Sequence, residues 1–104
     1  MLIAVATDVH GNRPAFEAVI GAADAAGAEE LWCLGDLVGY GGEPDACVEL
    51  AATHAAVCLA GNHDLGVTGE ISIADFSSAA RLAAEWTAEV ITPGTRTFLE
   101  GLAA

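Results

Sequence analysis

Three short apolar runs alternate with longer stretches in which apolar residues recur every three or four positions. Short apolar runs bounded by glycine or polar residues predict buried strands, whereas the longer recurrence predicts amphipathic helices. The predicted strands cover residues 2–7, 30–35 and 55–60. The predicted helices cover residues 14–26, 44–53 and 75–89, and Trp86 in the third helix is expected to lie in the core. The chain therefore alternates strand and helix three times.

Proline residues support the first two helices. Pro14 and Pro44 stand at first-turn positions, where a residue without an N–H group is well tolerated. Beyond residue 90 the pattern is weak. The remaining predictions are a loop over 65–72, a turn at Pro93-Gly94 and a short helix over 95–101.

The order βαβαβα predicts one α/β domain over residues 1–104, with a parallel sheet flanked by helices. Ligands of such sheets bind beyond the carboxyl ends of the strands. Functional residues are therefore expected in the loops that follow the three strands.

Each of these loops begins with a side chain that is suited to binding a metal ion. The three side chains are Asp8, Asp36 and Asn62, at intervals of 28 and 26 residues. One strand-and-helix unit with its turns takes roughly 30 residues. The spacing therefore predicts that the three side chains meet at one edge of the sheet.

A metal site at this edge would use oxygen and imidazole ligands. Asp8 and His10 are two residues apart, so in extended backbone both point the same way and reach one ion. Asp36 could bridge that ion to a second one, for which Asn62 supplies an amide oxygen. These ligands suit manganese, iron, zinc or nickel. Two such ions about 3.5–4 Å apart clamp a phosphate and activate water near neutral pH.

The neighbours of these ligands are candidates for catalysis and substrate binding. His63 would point away from the ligands in extended backbone, free to contact a phosphate oxygen or protonate a leaving group. Asp64 is expected to orient that imidazole. The candidate substrate-binding residues are Asn12, Arg13 and Tyr40. A solvated surface side chain explains Arg13 as well as substrate binding does. A loop aromatic without a role in binding explains Tyr40 better than substrate binding does.

The charge balance narrows the class of partner. The formal net charge is −12, with three arginines and no lysine. A surface this negative repels nucleic-acid backbones and anionic membranes, so neither is an expected partner. A phosphate ester would have to be recognised through bound cations. The alanine-rich core is modest in size, so an uncovered apolar sheet face that supports self-association is also expected.

The cysteines and the N-terminus predict a cytoplasmic location. Three cysteines without paired spacing are expected as reduced thiols in apolar surroundings. The N-terminus lacks a positive leader and a cleavage site. No apolar run approaches the roughly 18 residues of a membrane span.

The motifs around these residues resemble those of the calcineurin-like metallophosphoesterases. The motifs are Asp8-x-His10-Gly11-Asn12, Gly35-Asp36 and Gly61-Asn62-His63-Asp64, in the order and at the intervals of that family. The segment from Gly35 to Gly41, together with Pro44, is similar to the small prokaryotic phosphodiesterase branch.

The resemblance implies a ligand set and a reaction. Asp8, His10 and Asp36 would hold one metal, and Asp36 would bridge to a second that Asn62 also ligates. The metals would be two divalent transition ions, with manganese preferred and iron, zinc or nickel as alternatives. His63 would contact the phosphate in the transition state. The reaction would be in-line attack of a metal-bound hydroxide on a phosphodiester or phosphomonoester.

The sequence also departs from that family. Members carry further histidines downstream, including a Gly-His-x-His motif, and a second sheet, whereas His10, His54 and His63 are the only histidines here. We therefore expect an N-terminal portion of such a domain that is inactive or weakly active by itself.

Two other functions remain open at this stage. The chain could be a non-catalytic metal-binding or partner-binding module that dimerises through its uncovered sheet face. A metal-free nucleotide-binding domain is the weaker alternative, because the glycine fingerprint and the cationic groups of such sites are lacking. Each motif alone could also be a turn, since Asp, Asn and Gly favour turns. Their combination at three predicted strand ends is what indicates a metal-binding site.

Overall fold

The computed structural model describes all 104 residues and contains one parallel sheet in the order β1-β2-β3. The strands are β1 (Ile3–Ala6), β2 (Glu30–Cys33) and β3 (Ala55–Cys58). The helices are α1 (Arg13–Ala25), α2 (Pro44–His54), α3 (Asn62–Thr68), α4 (Ser78–Val90) and α5 (Pro93–Glu100). The predicted α/β class with a parallel sheet and flanking helices is confirmed.

The two faces of the sheet differ in burial. On one face of the central strand, Leu31 and Cys33 are 6% and 1% exposed and belong to the hydrophobic core. The helices contribute the rest of that core, with Phe16 from α1, Val48 from α2 and Leu99 from α5 among its members. The core therefore lies between this face and the helices.

The opposite face carries a cross-strand row of three apolar side chains. Val5 pairs with Trp32 in register, and Trp32 pairs with Val57. Val5 is 57% exposed and Val57 is 36% exposed, while Trp32 is partly buried. We call Val5, Trp32 and Val57 the outer row. No helix of the chain covers it to the degree seen on the core face.

Helix α3 (Asn62–Thr68) replaces the first half of the loop that the sequence predicted over 65–72. The carboxylate of Asp64, in the first turn, accepts a hydrogen bond from the Gly61 N–H at 2.9 Å, and Gly69 ends the helix with a φ of 81°. Gly66 inside the helix faces Ile73 and Phe76 so closely that a Cβ would collide with them. The loop prediction was wrong because these tertiary contacts, rather than helix propensity, stabilise the segment.

Helix α5 begins at Pro93, where a turn was predicted. Thr92 caps it by accepting a hydrogen bond from the Thr95 N–H at 3.2 Å, and Pro93 occupies a first-turn position. A proline followed by glycine is typical of turns, but the same proline also suits a helix start. The hydrogen bond from the Thr95 N–H to Thr92 favours the helix start over the turn.

Helix α4 turns a different side to the core than the sequence predicted. Its buried residues are Ala80, Ala84 and Thr87, whereas Trp86, predicted to lie in the core, is 43% exposed. Small residues therefore make the closest contacts with the rest of the fold. None of the five helices combines the length and apolar character needed to cross a bilayer.

Candidate functional site

The loops that follow β1 and β2 are joined by backbone hydrogen bonds. The donors are the N–H groups of Asp8, His10 and Gly11, and the acceptors are the carbonyls of Gly35, Asp36 and Leu37, at 3.1, 2.8 and 2.8 Å respectively. Gly35 permits the loop after β3 to approach as well, because a Cβ there would lie 2.6 Å from the Gly61 nitrogen. The predicted convergence of the three strand ends is therefore a feature of the fold.

Three predicted ligands meet at this edge. The ligand atoms of Asp8, His10 and Asp36 all lie within 4.8 Å of one another, and His10 Nε2 is 3.3 Å from Asp8 Oδ1. Asp8 is exposed, while His10 and Asp36 are partly buried. The cluster is open to solvent and suits a divalent ion.

The backbone of these ligands is not extended, contrary to the expectation for Asp8 and His10. The φ angles of Asp8, His10 and Asp36 are 57°, 51° and 57°, in the left-handed region. The two side chains converge because the hydrogen bonds to the next loop hold this conformation. Left-handed residues other than glycine are uncommon and concentrate at functional sites.

The imidazole of His10 is oriented for binding a metal. Its Nδ1 lies 3.1 Å from the Val38 carbonyl, which requires a proton on Nδ1. The Nε2 lone pair then faces Asp8 and the ligand cluster. Metal-binding histidines commonly have their second nitrogen fixed by a backbone carbonyl in this way.

Asp8 is held in its charged form by a neighbour that sequence reasoning did not include. The Thr7 hydroxyl donates to Asp8 Oδ2 at 2.9 Å, and this bond is the main cause that lowers the pKa of Asp8. Smaller contributions come from Asp36 and His10. A threonine directly before the motif is not distinctive in the sequence, so the role of Thr7 becomes visible only in the structure.

Asn62 lies against Asp36, as the predicted ligand set requires. Its side-chain amide is 3.3 Å from both carboxylate oxygens. With its nitrogen towards Asp36 the amide donates a hydrogen bond to each carboxylate oxygen. The contact places Asn62 beside the candidate ligand cluster.

The donors fit one ion better than two. Two carboxylates and an imidazole with a fixed lone pair form a mixed oxygen and nitrogen set that suits transition ions. For a second ion the cluster offers Asp36 and Asn62. Closed sites use roughly four ligands, so the second position is weak in this chain.

His63 points into the cluster, contrary to the expectation that it would point elsewhere. It lies in α3 rather than in extended backbone, and its ring centroid is 4.8 Å from that of His10. Its backbone N–H donates to Asp36 Oδ1 at 3.0 Å. Its Nδ1 is buried without a hydrogen-bond partner, against Gly39. The remaining ring nitrogen, Nε2, is the one left for a substrate.

Asp64 does not orient His63, so that part of the sequence prediction was wrong. Its carboxylate accepts from the backbone N–H groups of Asp36, Val38 and Gly61, at 2.8, 3.2 and 2.9 Å. Burial raises the pKa of Asp64, although these three bonds act in the opposite direction. Asp64 is therefore a positioning residue that ties the loop after β2 to the loop after β3. An acidic residue in the first turn after Gly61 is the sequence signal for such a cap.

The three candidate substrate-binding residues have different surroundings. The Asn12 side chain caps α1 by accepting from the Ala15 N–H at 3.2 Å. Arg13 Nε lies 3.1 Å from Glu43, so its charge is engaged at the surface. Tyr40 alone packs its ring against the site histidines.

The fold and the site together define a parallel α/β domain with a candidate metal site of carboxylate and imidazole ligands at the carboxyl edge of its sheet. The chain belongs to the calcineurin-like phosphoesterase family, whose model matches residues 1–97.

Individual relatives agree with this assignment. The chain is 40% identical over 101 residues to an uncharacterized protein of Methanocaldococcus jannaschii. It is similar to the crystal structure of a metallophosphoesterase from Sphaerobacter thermophilus, with a TM-score of 0.77 and 40% identity over 96% of this chain. It is also similar to the structure of a proposed diadenosine tetraphosphatase, with a TM-score of 0.74 and 26% identity over 96% of this chain.

The chain spans about two fifths of each relative. It covers 42% of the Methanocaldococcus protein, 40% of the Sphaerobacter chain and 42% of the third chain. The likeness therefore concerns less than half of each of these proteins.

Proposed function

We propose that this chain forms the metal- and phosphate-binding edge of a phosphoesterase that hydrolyses a phosphodiester or phosphomonoester with divalent manganese. The observation that supports it most is the convergence of Asp8, His10 and Asp36 within 4.8 Å. Iron, zinc and nickel are alternative ions, because the donor set does not distinguish them. One neighbour's description as a diadenosine tetraphosphatase supports a phosphate-ester substrate.

Asp8, His10 and Asp36 would hold the first ion, and Asp36 with Asn62 the second. Ions bound there polarise phosphoryl oxygens and lower the pKa of water. The chain's own contribution is to fix the ligands. The His63 N–H holds Asp36, and Val38 sets the tautomer of His10. His63 Nε2 is the ring nitrogen available to donate a hydrogen bond to the phosphate or a proton to a leaving group.

Bound cations would also recognise the substrate's charge. The net charge is −12, and Arg13, the arginine nearest to the site in sequence, is paired with Glu43. The weak second position leads us to expect little or no turnover from the 104 residues alone.

The free thiols of the three cysteines support the predicted reducing cytoplasm.

Manganese titration by calorimetry tests this proposal, with hydrolysis of an aryl phosphodiester measured on the same sample. We expect one ion to bind, and Asp36→Asn to weaken its binding more than Asp8→Asn, because Asp36 contacts both Asn62 and His63. Asp24→Asn, an equal charge change on the exposed side of α1, is the matched control. Equal small losses for Asp36→Asn and Asp24→Asn would refute the site.

The outer row favours a second candidate function, a module that binds a second copy of itself. A two-fold pairing of this face would cover Val5 and Val57, which are 57% and 36% exposed. Sedimentation equilibrium at micromolar to submillimolar concentrations should show a dimer that Val5→Lys abolishes. Leu82→Lys, on exposed α4, should leave it unchanged. A monomer at every concentration rejects this candidate.

A further inference from the structure

Tyr40 has a backbone conformation that it shares with the candidate metal ligands. The non-glycine residues with positive φ are Asp8, His10, Asp36 and Tyr40, and the φ of Tyr40 is 63°. For a bulky aromatic residue this angle is a clear outlier. Such residues persist where the surrounding structure holds them, and they cluster at ligand sites. Tyr40 is the one member of this set without a carboxylate or an imidazole.

The loop around Tyr40 is fixed from both sides. The Gly41 N–H donates to the carbonyls of His10 and Gly39, at 2.8 Å in each case. On the other side the Val38 N–H donates to the buried Asp64. The side chain of Tyr40 nevertheless remains 54% exposed. An exposed ring on a fixed backbone loses little conformational entropy when it contacts a ligand.

The ring lies at the rim of the ligand cluster. Its centroid is 5.2 Å from that of His10 in a T-shaped arrangement, and 5.0 Å from that of His63 in a tilted one. The side of Tyr40 that faces the histidines is therefore occupied. The remainder of the ring offers an uncharged aromatic surface next to the place proposed for the phosphate.

We propose that Tyr40 is a specificity-determining residue that stacks on a planar aromatic group attached to the phosphate of the substrate. The inference rests on the phosphoesterase function proposed above and deepens it by naming the substrate class. Aryl phosphates and nucleotides share this chemistry. The aromatic surface suits a neutral aromatic group better than an anionic one, because Arg13 is paired with Glu43 and the net charge of the chain is −12.

Ligand affinities of the manganese-loaded chain test the inference without relying on turnover. Two matched pairs are titrated by calorimetry: phenylphosphonate with methylphosphonate, and adenosine 5′-monophosphate with ribose 5-phosphate. We expect the aromatic member of at least one pair to bind roughly tenfold tighter in the natural chain and in Tyr40→Phe, in line with base–aromatic stacking. In Tyr40→Leu the ratio should fall to near one. Tyr40→Asn removes the ring while keeping a residue that tolerates positive φ, so it should give the same ratio.

The outcomes separate this inference from the function on which it rests. Preference in the phosphonate pair alone indicates aryl esters, preference in the nucleotide pair alone indicates nucleotides, and either supports stacking. Manganese-dependent binding of methylphosphonate without any aromatic preference overturns the role of Tyr40 and leaves the phosphate site standing. Equal losses for both members of a pair in Tyr40→Leu and Tyr40→Asn overturn it too, since they indicate that the ring only positions His63. Absence of manganese-dependent methylphosphonate binding overturns both proposals.

Discussion

Gly39 forms the wall of the slot in which the His63 ring lies. A Cβ at this position would come 2.5 Å from His63 Nδ1, and the φ of Gly39 is 92°. We expect Gly39→Ala to lower the free energy of unfolding by about 3 kcal/mol, the sum of a left-handed penalty and a steric clash. Urea unfolding measures this loss.

Gly27 provides the matched control for that substitution. Its φ is 78°, but a Cβ there would meet nothing within 4 Å. Gly27→Ala therefore carries the backbone penalty alone, about 1 kcal/mol. Equal losses for the two variants would show that the His63 side chain moves aside for a Cβ at position 39 at no cost in free energy.

At the residue scale, sequence reasoning found which side chains meet at the sheet edge but not their backbone angles. Asp8, Asp36 and Asn62 could be predicted because each follows an apolar strand, and strand ends of a parallel sheet share one edge. The left-handed φ of Asp8 depends on a hydrogen bond to Gly35, which is distant in sequence. The first-turn position of Asp64 indicates a helix cap, but its bonds to the N–H groups of Asp36 and Val38 join loops that are distant in sequence.

A single side chain couples α2 to α5. Asp45 Oδ1 accepts from Thr95 Oγ1 at 2.6 Å and from the Thr92 N–H at 3.1 Å. We expect Asp45→Ala to destabilise the chain by about 2 kcal/mol, because hydrogen bonds to a charged group are lost. Hydrogen exchange should show that the substitution speeds the opening of α5 more than that of α1.

Thr95→Val allows a double-mutant cycle with Asp45→Ala. Thr95 is 5% exposed, so valine keeps its shape and removes only the hydroxyl. We expect a coupling of about 1 kcal/mol between the two positions, as for groups in direct contact. Strict additivity would mean that the two helices are joined by apolar packing instead.

At the element scale, length and patterning decided which predictions succeeded. The three strands and the helices α1 and α2 have clear apolar periods, and their bounds agree within two residues of those predicted. Helix α3 is seven residues long and contains Gly66, so its local pattern is that of a loop. Helix α5 starts with Pro93-Gly94, which local chemistry assigns to a turn. Both depend on caps and tertiary contacts.

The buried thiol of Cys47 makes the stability of the whole molecule sensitive to alkaline pH. Burial, with a smaller effect of Glu43, raises the pKa of Cys47 from 9.0 to about 11. Between these values the folded thiol keeps a proton that the unfolded one releases. The contribution is therefore complete below pH 9 and is lost as the pH rises through about 11. Stability should fall over this range with a slope of up to about 1.4 kcal/mol per pH unit from this group.

Urea midpoints between pH 8 and pH 11 measure that slope. Cys47→Ala should flatten it, although not abolish it, because a hydrogen bond with Cys33, together with burial, also raises the pKa of Cys58. Comparing slopes rather than absolute stabilities removes the effect of the smaller side chain. Identical slopes in the two proteins would show that Cys47 titrates alike in the folded and unfolded chains.

At the scale of the whole molecule, topology could be predicted but surface exposure could not. Alternating strands and helices dictate the parallel sheet. The burial of a given aromatic side chain depends on which neighbours the helices bring. The prediction of a core position for Trp86 was therefore wrong, and its side chain is 43% exposed. The expectation of an uncovered apolar face came from composition, and its location on the outer row required the register of the strands.

The N–H groups that converge on Asp64 have a consequence for the thermodynamics of ion binding. They hold the loops after β2 and β3 by contacts within the chain. Small zinc domains fold only when the metal arrives, so much of their binding free energy goes into ordering the polypeptide. Here these bonds hold the loops through the chain's own atoms, so an ion bound as proposed would displace water from ligands that already face one another. The entropy change on binding is then set by the release of hydration water rather than by the chain.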